Sequence, residues 1–101
     1  EDVKLVIAAK DDLVVSSGYA IERKARAYLD HSTYGYLGFM YTLPEFRGFG
    51  INQAVVSTLV AWCKENGLEE IRLTVYDDNE PALRAYQKAG FKKHICEMRL
   101  P

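Results

Sequence analysis

One stretch near the middle of the chain constrains the fold most, because it joins a strand to a helix through a short glycine-containing turn. Residues 36–42 (Tyr-Leu-Gly-Phe-Met-Tyr-Thr) are aromatic and β-compatible, and Pro44 ends that strand. Residues 51–66 carry apolar side chains at positions 51, 55, 59, 62 and 63, the spacing of one helix face. Between them lies the turn Arg47-Gly48-Phe49-Gly50. The sequence therefore predicts a strand–turn–helix unit.

This turn has the composition of an anion-binding site. Glycine permits positive φ and lets backbone N–H groups come close to a ligand. The first N–H groups of a helix have no partner within the helix, and the helix dipole favours negative charge there. With Arg47 beside Gly48 and Gly50, the turn predicts a site for a phosphate or pyrophosphate. The alternative is an ordinary glycine-rich turn with a solvated arginine.

Two nucleotide-binding motifs are excluded by the residues that follow the turn. A P-loop closes with Gly-Lys-Ser or Gly-Lys-Thr, whereas Gly50 is followed by Ile51, Asn52 and Gln53. A dinucleotide-binding turn has a third glycine where Gln53 stands. It also has an acidic residue roughly 20 residues further on, at the end of the next strand. Here that strand ends later, near Asp77.

The composition excludes several other classes of protein. A chain of 101 residues forms one domain, and 49% hydrophobic with 27% charged residues is typical of a soluble globular protein. Thirteen basic and 14 acidic residues give a formal net charge of −1, so nucleic acid is not expected as a partner. The sequence has no signal peptide and no apolar run of membrane-spanning length. We therefore expect a cytoplasmic protein without a membrane partner.

The two cysteines are isolated, and there is no cluster of histidines, so no metal site is predicted. Cys63 falls on the apolar helix face and Cys96 falls within a strand pattern. Both are predicted to be buried thiols.

The residues before the central strand predict two further strands. Residues 3–9 and 13–19 are β-compatible and flank the polar turn Lys10-Asp11-Asp12, which indicates a hairpin. Gly18 within the second strand predicts a bulge or a close backbone approach. Residues 21–28 fit either a solvated strand end or a short helix.

The residues after the central helix predict a strand, a second helix and a final strand. Asn66-Gly67 ends the first helix, and residues 71–76 alternate as a strand reached by a crossover connection. Asn79 is a preferred N-cap for a helix that ends at Gly90, and residues 91–100 complete the pattern. Antiparallel strands followed by strand, helix, strand, helix and strand predict an α+β fold around a mixed sheet.

The second helix carries a further motif. Asn79 and Tyr86 are seven residues apart, so they lie on one helix face. Taken alone, Tyr86 would be a core aromatic residue. Together with the glycine-containing turn, however, the chain resembles the GNAT superfamily of N-acetyltransferases. The acetyl-coenzyme A signature of that family, Arg/Gln-x-x-Gly-x-Gly/Ala, matches residues 47–52 except at Asn52. A second signature, Asn-x-x-Ala-x-x-x-Tyr-x-x-x-Gly-Phe, matches residues 79–91 in full.

The resemblance implies that acetyl-coenzyme A lies where the central strand and the 71–76 strand splay apart. Backbone groups at the end of the central strand would pair with the pantetheine arm as an added strand. The N–H groups of the turn would hold the pyrophosphate, and Tyr86 would give its proton to the leaving thiolate as general acid. The implied cofactor-binding residues are Met40, Tyr41, Thr42, Arg47, Gly48, Phe49, Gly50, Ile51, Asn52, Gln53 and Asn79. Asn52 departs from the signature because a side chain stands where the family has almost none.

The resemblance says less about the acceptor. A strand N–H near Met40 or Tyr41 would polarise the thioester carbonyl. Many relatives place a carboxylate on the central strand, but residues 36–40 contain none, which argues against a polyamine acceptor. His31, Tyr34 and Glu22, acting through water, are the candidates for the general base.

The expected activity is the transfer of an acetyl group to a primary amine of a small molecule or a protein. Relatives begin with a further strand and one or two helices, which form one wall of the acceptor site. This chain begins, at Glu1, where the second strand of the relatives begins. We therefore expect an N-terminally truncated domain whose acceptor wall comes from a missing segment or from a second copy in a dimer. The alternative function is a non-catalytic module that binds acyl-coenzyme A.

Overall fold

The computed structural model describes residues 3–24, 33–48 and 50–101, apart from the Phe39 side chain. Four strands form one sheet in the order β1 (Val3–Lys10), β2 (Leu13–Lys24), β3 (Thr33–Thr42) and β4 (Ile71–Leu73). The helices are α1 (Ile51–Glu65) and α2 (Glu80–Lys88), and a single 3-10 turn spans Pro44–Phe46. Strands β1 to β3 are antiparallel, whereas β4 is parallel to β3. The predicted α+β class with a mixed sheet is confirmed.

The hairpin predicted at the start of the chain is present. Asp11 and Asp12 connect β1 to β2, and both have positive φ, 51° and 69°. Two consecutive residues of this conformation match the right-handed twist of the flanking strands. Strand β2 extends to Lys24, so residues 21–24 of the ambiguous stretch are strand, while residues 25–28 lie outside the described part.

Helix α1 covers one face of the sheet and forms the core with it. Its buried residues are Val55, Val56, Leu59 and Cys63, which pack with Ala20, Leu37 and Leu68. Gly35 on β3 allows this contact, because a Cβ atom there would lie 2.6 Å from the Cys63 sulfur. The predicted apolar stripe is therefore the face of α1 that packs on the sheet. Among the described residues, no helix is both long and apolar enough to cross a membrane.

The ends of both helices follow their local sequence. Gly67 has φ 77°, and the N–H groups of Gly67 and Leu68 bond back to Lys64 O (3.1 Å) and Cys63 O (2.9 Å). This pair of hydrogen bonds is typical of a helix that ends at a glycine in the left-handed conformation. At the start of α2, the Asn79 side chain accepts from the Ala82 N–H over 3.3 Å, which confirms the predicted N-cap.

The last part of the chain differs from the prediction. Strand β4 ends at Leu73 rather than at residue 76, and residues 91–101 form no strand. Ile95, Met98 and Leu100 are at least 82% exposed. A strand exists only where a neighbour completes its hydrogen-bond ladder. In the described sheet β4 is the edge strand and pairs with β3 alone, so residues 91–101 take part in no ladder. Cys96 is consequently exposed, so the prediction that it is a buried thiol was wrong, whereas Cys63 is buried as predicted.

Candidate functional site

A cleft opens where β3 and β4 part. The two strands pair only over residues 35–37 and 71–73. At the point of parting, the Tyr36 hydroxyl donates to Thr74 Oγ1 over 2.8 Å. Beyond it, a cleft of about 420 Å³ lies between the end of β3, residues 74–76 and α2. Met40, Asn79 and Tyr86 all line this cleft, so the structure brings these three predicted site residues together.

Strand β3 bulges beside the cleft. Tyr19 of β2 pairs with Gly38 and Ser17 pairs with Tyr41, so Gly18 alone stands opposite two residues of β3, 39 and 40. A β-bulge of this kind interrupts the ladder and bends the strand. Gly18 also permits a close approach, because a Cβ atom there would lie 2.5 Å from the Met40 sulfur. The bulge predicted from Gly18 is therefore found, and it lies in the part of β3 that lines the cleft, whereas the close neighbour of Gly18 is a side chain rather than a backbone.

The turn before α1 presents an open helix N-terminus. Gly48 and Gly50 both have positive φ, 86° and 79°, and no atom lies within 4 Å of a Cβ built on either. Gly50 is the N-cap residue, and no side chain caps the helix. The first N–H groups of α1 therefore lack the usual side-chain acceptor. This is the local geometry that an anion site requires, although Phe49 lies outside the described residues.

Arg47 lies across the end of β3. Its Nε donates to Thr42 O over 2.9 Å, and its guanidinium carbon lies 5.5 Å from the centre of the Tyr41 ring. Thr42 is buried, and its hydroxyl forms a 2.8 Å hydrogen bond with Ser16. The backbone of Thr42 is predicted to pair with the pantetheine arm, and its carbonyl already accepts an internal hydrogen bond. The rest of the Arg47 guanidinium stays at the surface beside the turn, because Arg47 as a whole is exposed.

Tyr86 is held by contacts on two sides. Its ring meets Phe91 edge-to-face, with centroids 6.1 Å apart and planes at 74°. Burial raises the pKa of the Tyr86 hydroxyl above its ordinary value of 10.0, and a hydrogen bond from the Asn52 side chain partly offsets this by lowering the pKa. Tyr86 is consequently protonated at neutral pH, the state that a proton donor needs.

Comparison with known proteins agrees with this architecture. The model of the acetyltransferase (GNAT) family matches residues 4–91.

The chain belongs to the GNAT acetyltransferase family.

Solved structures and named relatives support this assignment. A putative acetyl transferase from Pyrococcus furiosus superposes with a TM-score of 0.87 at 25% identity, over 99% of this chain and 66% of that one. A predicted acetyltransferase from Clostridium acetobutylicum, solved with acetyl-CoA, superposes with a TM-score of 0.79 at 24% identity, over 98% and 64%. Bovine thialysine N-epsilon-acetyltransferase is 31% identical over 67 residues, 62% of this chain and 39% of that protein. The part of this chain that aligns with its curated relatives covers only 19% to 39% of the length of each relative.

The remaining predicted residues of this GNAT chain lie in the first turn of α1 and are not among the described residues that line the cleft. Ile51 faces a separate recess of about 400 Å³ together with Lys10 and Phe46. The Gln53 side chain leaves the turn and donates to Ala85 O over 3.2 Å, which ties α1 to α2. The Gln53 side chain therefore points away from an anion at the helix start, and the backbone N–H groups of this first turn remain for one.

The structure does not bring the predicted base candidates into the described lining of the cleft. Glu22 pairs with Gly35 at the far end of β3, and the Tyr34 ring is covered by Arg72 at 4.2 Å. His31 lies outside the described residues. Among the described lining residues, the carboxylate is that of Glu97. The sequence did not predict Glu97 as a cleft residue, because it lies in the irregular segment 91–101 and comes near residues 74–76 only in the folded chain.

Proposed function

We propose that this chain forms the acetyl-coenzyme A site of an enzyme that transfers an acetyl group to a primary amine of a small molecule or a protein. The observation that carries the proposal is the position of Tyr86, which lines a cleft that opens from a bulged strand. An enzyme needs a proton donor at this place, whereas a protein that only binds the cofactor does not. The acetyl-CoA in the Clostridium structure and the amine substrate in the name of the bovine relative support the proposal.

The described residues fit the chemical parts of acetyl-coenzyme A. The uncapped N-terminus of α1 after Gly50 would accept the pyrophosphate on its free N–H groups. Backbone groups of Met40 and Tyr41, at the bulge, would pair with the amide-bearing pantetheine arm. The Asn79 amide nitrogen would reach the arm near its thiol end, because the cap to Ala82 uses only the side-chain oxygen.

Different groups in the cleft would act in the separate steps of the reaction. A backbone N–H at the bulge, near Met40 or Tyr41, would stabilise the oxyanion that forms when a neutral amine attacks the thioester carbonyl. Tyr86 would then protonate the leaving thiolate. Glu97 would take a proton from the acceptor amine as the general base, because it lines the cleft, whereas Glu22 and Tyr34 are not among the described lining residues.

Calorimetry and a thiol-release assay test this function. The protein, at its natural length, should bind acetyl-coenzyme A and coenzyme A in calorimetry, and should release free thiol with at least one member of a panel of primary amines. Glu97→Gln should lower turnover without weakening cofactor binding, because the amide cannot accept the proton. Binding without turnover across the panel would instead support the non-catalytic module, and absence of binding would refute both functions.

A further inference from the structure

Two arginines and two tyrosines lie together on the face of the sheet that α1 does not cover. Leu37 of β3 is buried against α1, so its alternating neighbours Tyr34 and Tyr36 point to the opposite face. The guanidinium carbon of Arg23, on β2, lies 4.0 Å from the centre of the Tyr36 ring. That of Arg72, on β4, lies 4.2 Å from the centre of the Tyr34 ring. We call these four residues the arginine–tyrosine face.

The two arginines of this face differ in their partners. Arg72 Nε donates to Glu70 Oε2 over 3.1 Å, so its charge is already compensated. Among the described residues, no carboxylate pairs with Arg23, which is exposed. The face of an aromatic ring attracts a cation but offers no strong hydrogen-bond acceptor. The Tyr36 ring therefore holds the Arg23 guanidinium in place and leaves its N–H donors available.

Arg23 lies beside the cleft. Tyr36 lines the cleft, and its hydroxyl donates to Thr74 at the point where β3 and β4 part. The Arg23 guanidinium is therefore one aromatic ring away from a group that lines the cleft. The carboxylate of Glu97 lies within the lining itself. A negative group in the cleft and an unpaired positive group next to it match a ligand that carries both charges.

We propose that Arg23 binds a carboxylate of the acceptor, so that the acceptor is a small amine that also carries a carboxylate, such as an amino acid. This inference rests on the proposed acetyl transfer and names the substrate class of that site. The planar guanidinium forms two parallel hydrogen bonds with a carboxylate, which fixes the orientation of the ligand. The amine end of the acceptor would then meet Glu97. A polyamine would instead bring a second positive charge towards Arg23, which is unfavourable.

The first test compares matched acceptors with the protein at its natural length. The acceptors γ-aminobutyrate and ε-aminocaproate are each assayed against their own primary amides, which have the same length and amine but no negative charge. The kcat/KM of the better acid should exceed that of its amide about 10-fold, the lower end for a hydrogen bond to a charged group, because Arg23 is exposed. Added salt should reduce this preference.

A matched pair of variants tests whether Arg23 causes the preference. Arg23→Gln should abolish it, because the amide side chain carries no charge. Lys24→Gln removes the same charge one residue later, on the opposite face of β2, and should retain it. Both residues are exposed, and circular dichroism verifies that each variant is folded. Equal kcat/KM for acids and amides in the wild type, a preference that survives in Arg23→Gln, or the same loss in both variants would overturn the proposal.

The second test needs no turnover. In calorimetry with coenzyme A present, the better acid should bind with a Kd about 10-fold lower than that of its amide, and Arg23→Gln should remove the difference. If no amine is acetylated, the proposed acetyl transfer fails, and this titration still decides whether Arg23 binds a carboxylate. If amines are acetylated but acid and amide bind equally, the proposed acetyl transfer stands and the role of Arg23 is refuted.

Discussion

Gly50 and Gly67 stand at the two ends of α1 and form a matched pair for testing the anion site. Their backbones are left-handed, with φ of 79° and 77°, and a Cβ built on either meets no atom within 4 Å. Valine at either position therefore adds backbone strain without a steric clash. The left-handed conformation costs an L-residue about 1–2 kcal/mol, and a β-branched one at least that. Gly50→Val and Gly67→Val should lose similar amounts of unfolding free energy.

Only the Gly50 variant should affect the cofactor. Gly50 precedes the uncapped N–H groups of α1, and a branched side chain there would block the approach of a phosphate and shift the helix start. We expect coenzyme A binding to weaken by about 2 kcal/mol or more, which is roughly 30-fold in Kd. Gly67 lies beyond the other end of a 15-residue helix, about 22 Å away, so Gly67→Val should bind as the wild type does.

The comparison requires three measurements on each variant. Calorimetry with coenzyme A gives Kd, circular dichroism verifies the fold, and denaturant titration gives the free energy of unfolding. If Gly50→Val binds like the wild type while folded, the pyrophosphate does not lie on this turn. If both variants lose the same affinity, the loss reflects destabilisation of α1 rather than a blocked site.

Four further outcomes follow from individual residues. Arg47→Ala should weaken coenzyme A binding by about 1 kcal/mol, less at high salt, since the exposed cation is screened; calorimetry at two ionic strengths measures this. Tyr86→Phe should lower turnover by roughly 10² to 10⁴ with cofactor affinity retained, and wild-type turnover would remove the hydroxyl from the reaction. Gly35→Ala should cost about 1–3 kcal/mol in denaturant titration, because its Cβ would meet the buried Cys63 sulfur at 2.6 Å; an unchanged midpoint would contradict that packing. Burial raises the pKa of the Cys63 thiol above 9.0, so its contribution to the free energy of unfolding is full below pH about 9 and is lost as pH rises through the folded pKa. Above pH about 9, Cys63→Ala should therefore lose less unfolding free energy with rising pH than the wild type does. An equal loss in both proteins would assign the pH dependence to other groups.

The sequence by itself determined the elements whose causes are local. The left-handed turns at Asp11-Asp12, Gly50 and Gly67 arise from residues that tolerate positive φ at those positions. The N-cap of α2 depends on Asn79 and a backbone N–H three residues away, and the buried face of α1 follows from a spacing of three and four residues. The family resemblance could be recognised from the sequence for the same reason, because each of the two signatures is one short, continuous stretch of the chain.

The tertiary structure alone decided the features that join distant parts of the chain. Whether residues 91–100 form a strand depends on pairing with a strand from a distant part of the chain, and in the described sheet this segment pairs with none, so Cys96 is exposed. The side chain of Gln53 reaches Ala85, 32 positions later, only because the start of α1 lies against α2. Glu97 likewise enters the cleft through the path of an irregular segment. Local sequence specifies torsion angles and helix faces, but the distance between two elements is set by packing, and packing is what assembles this site.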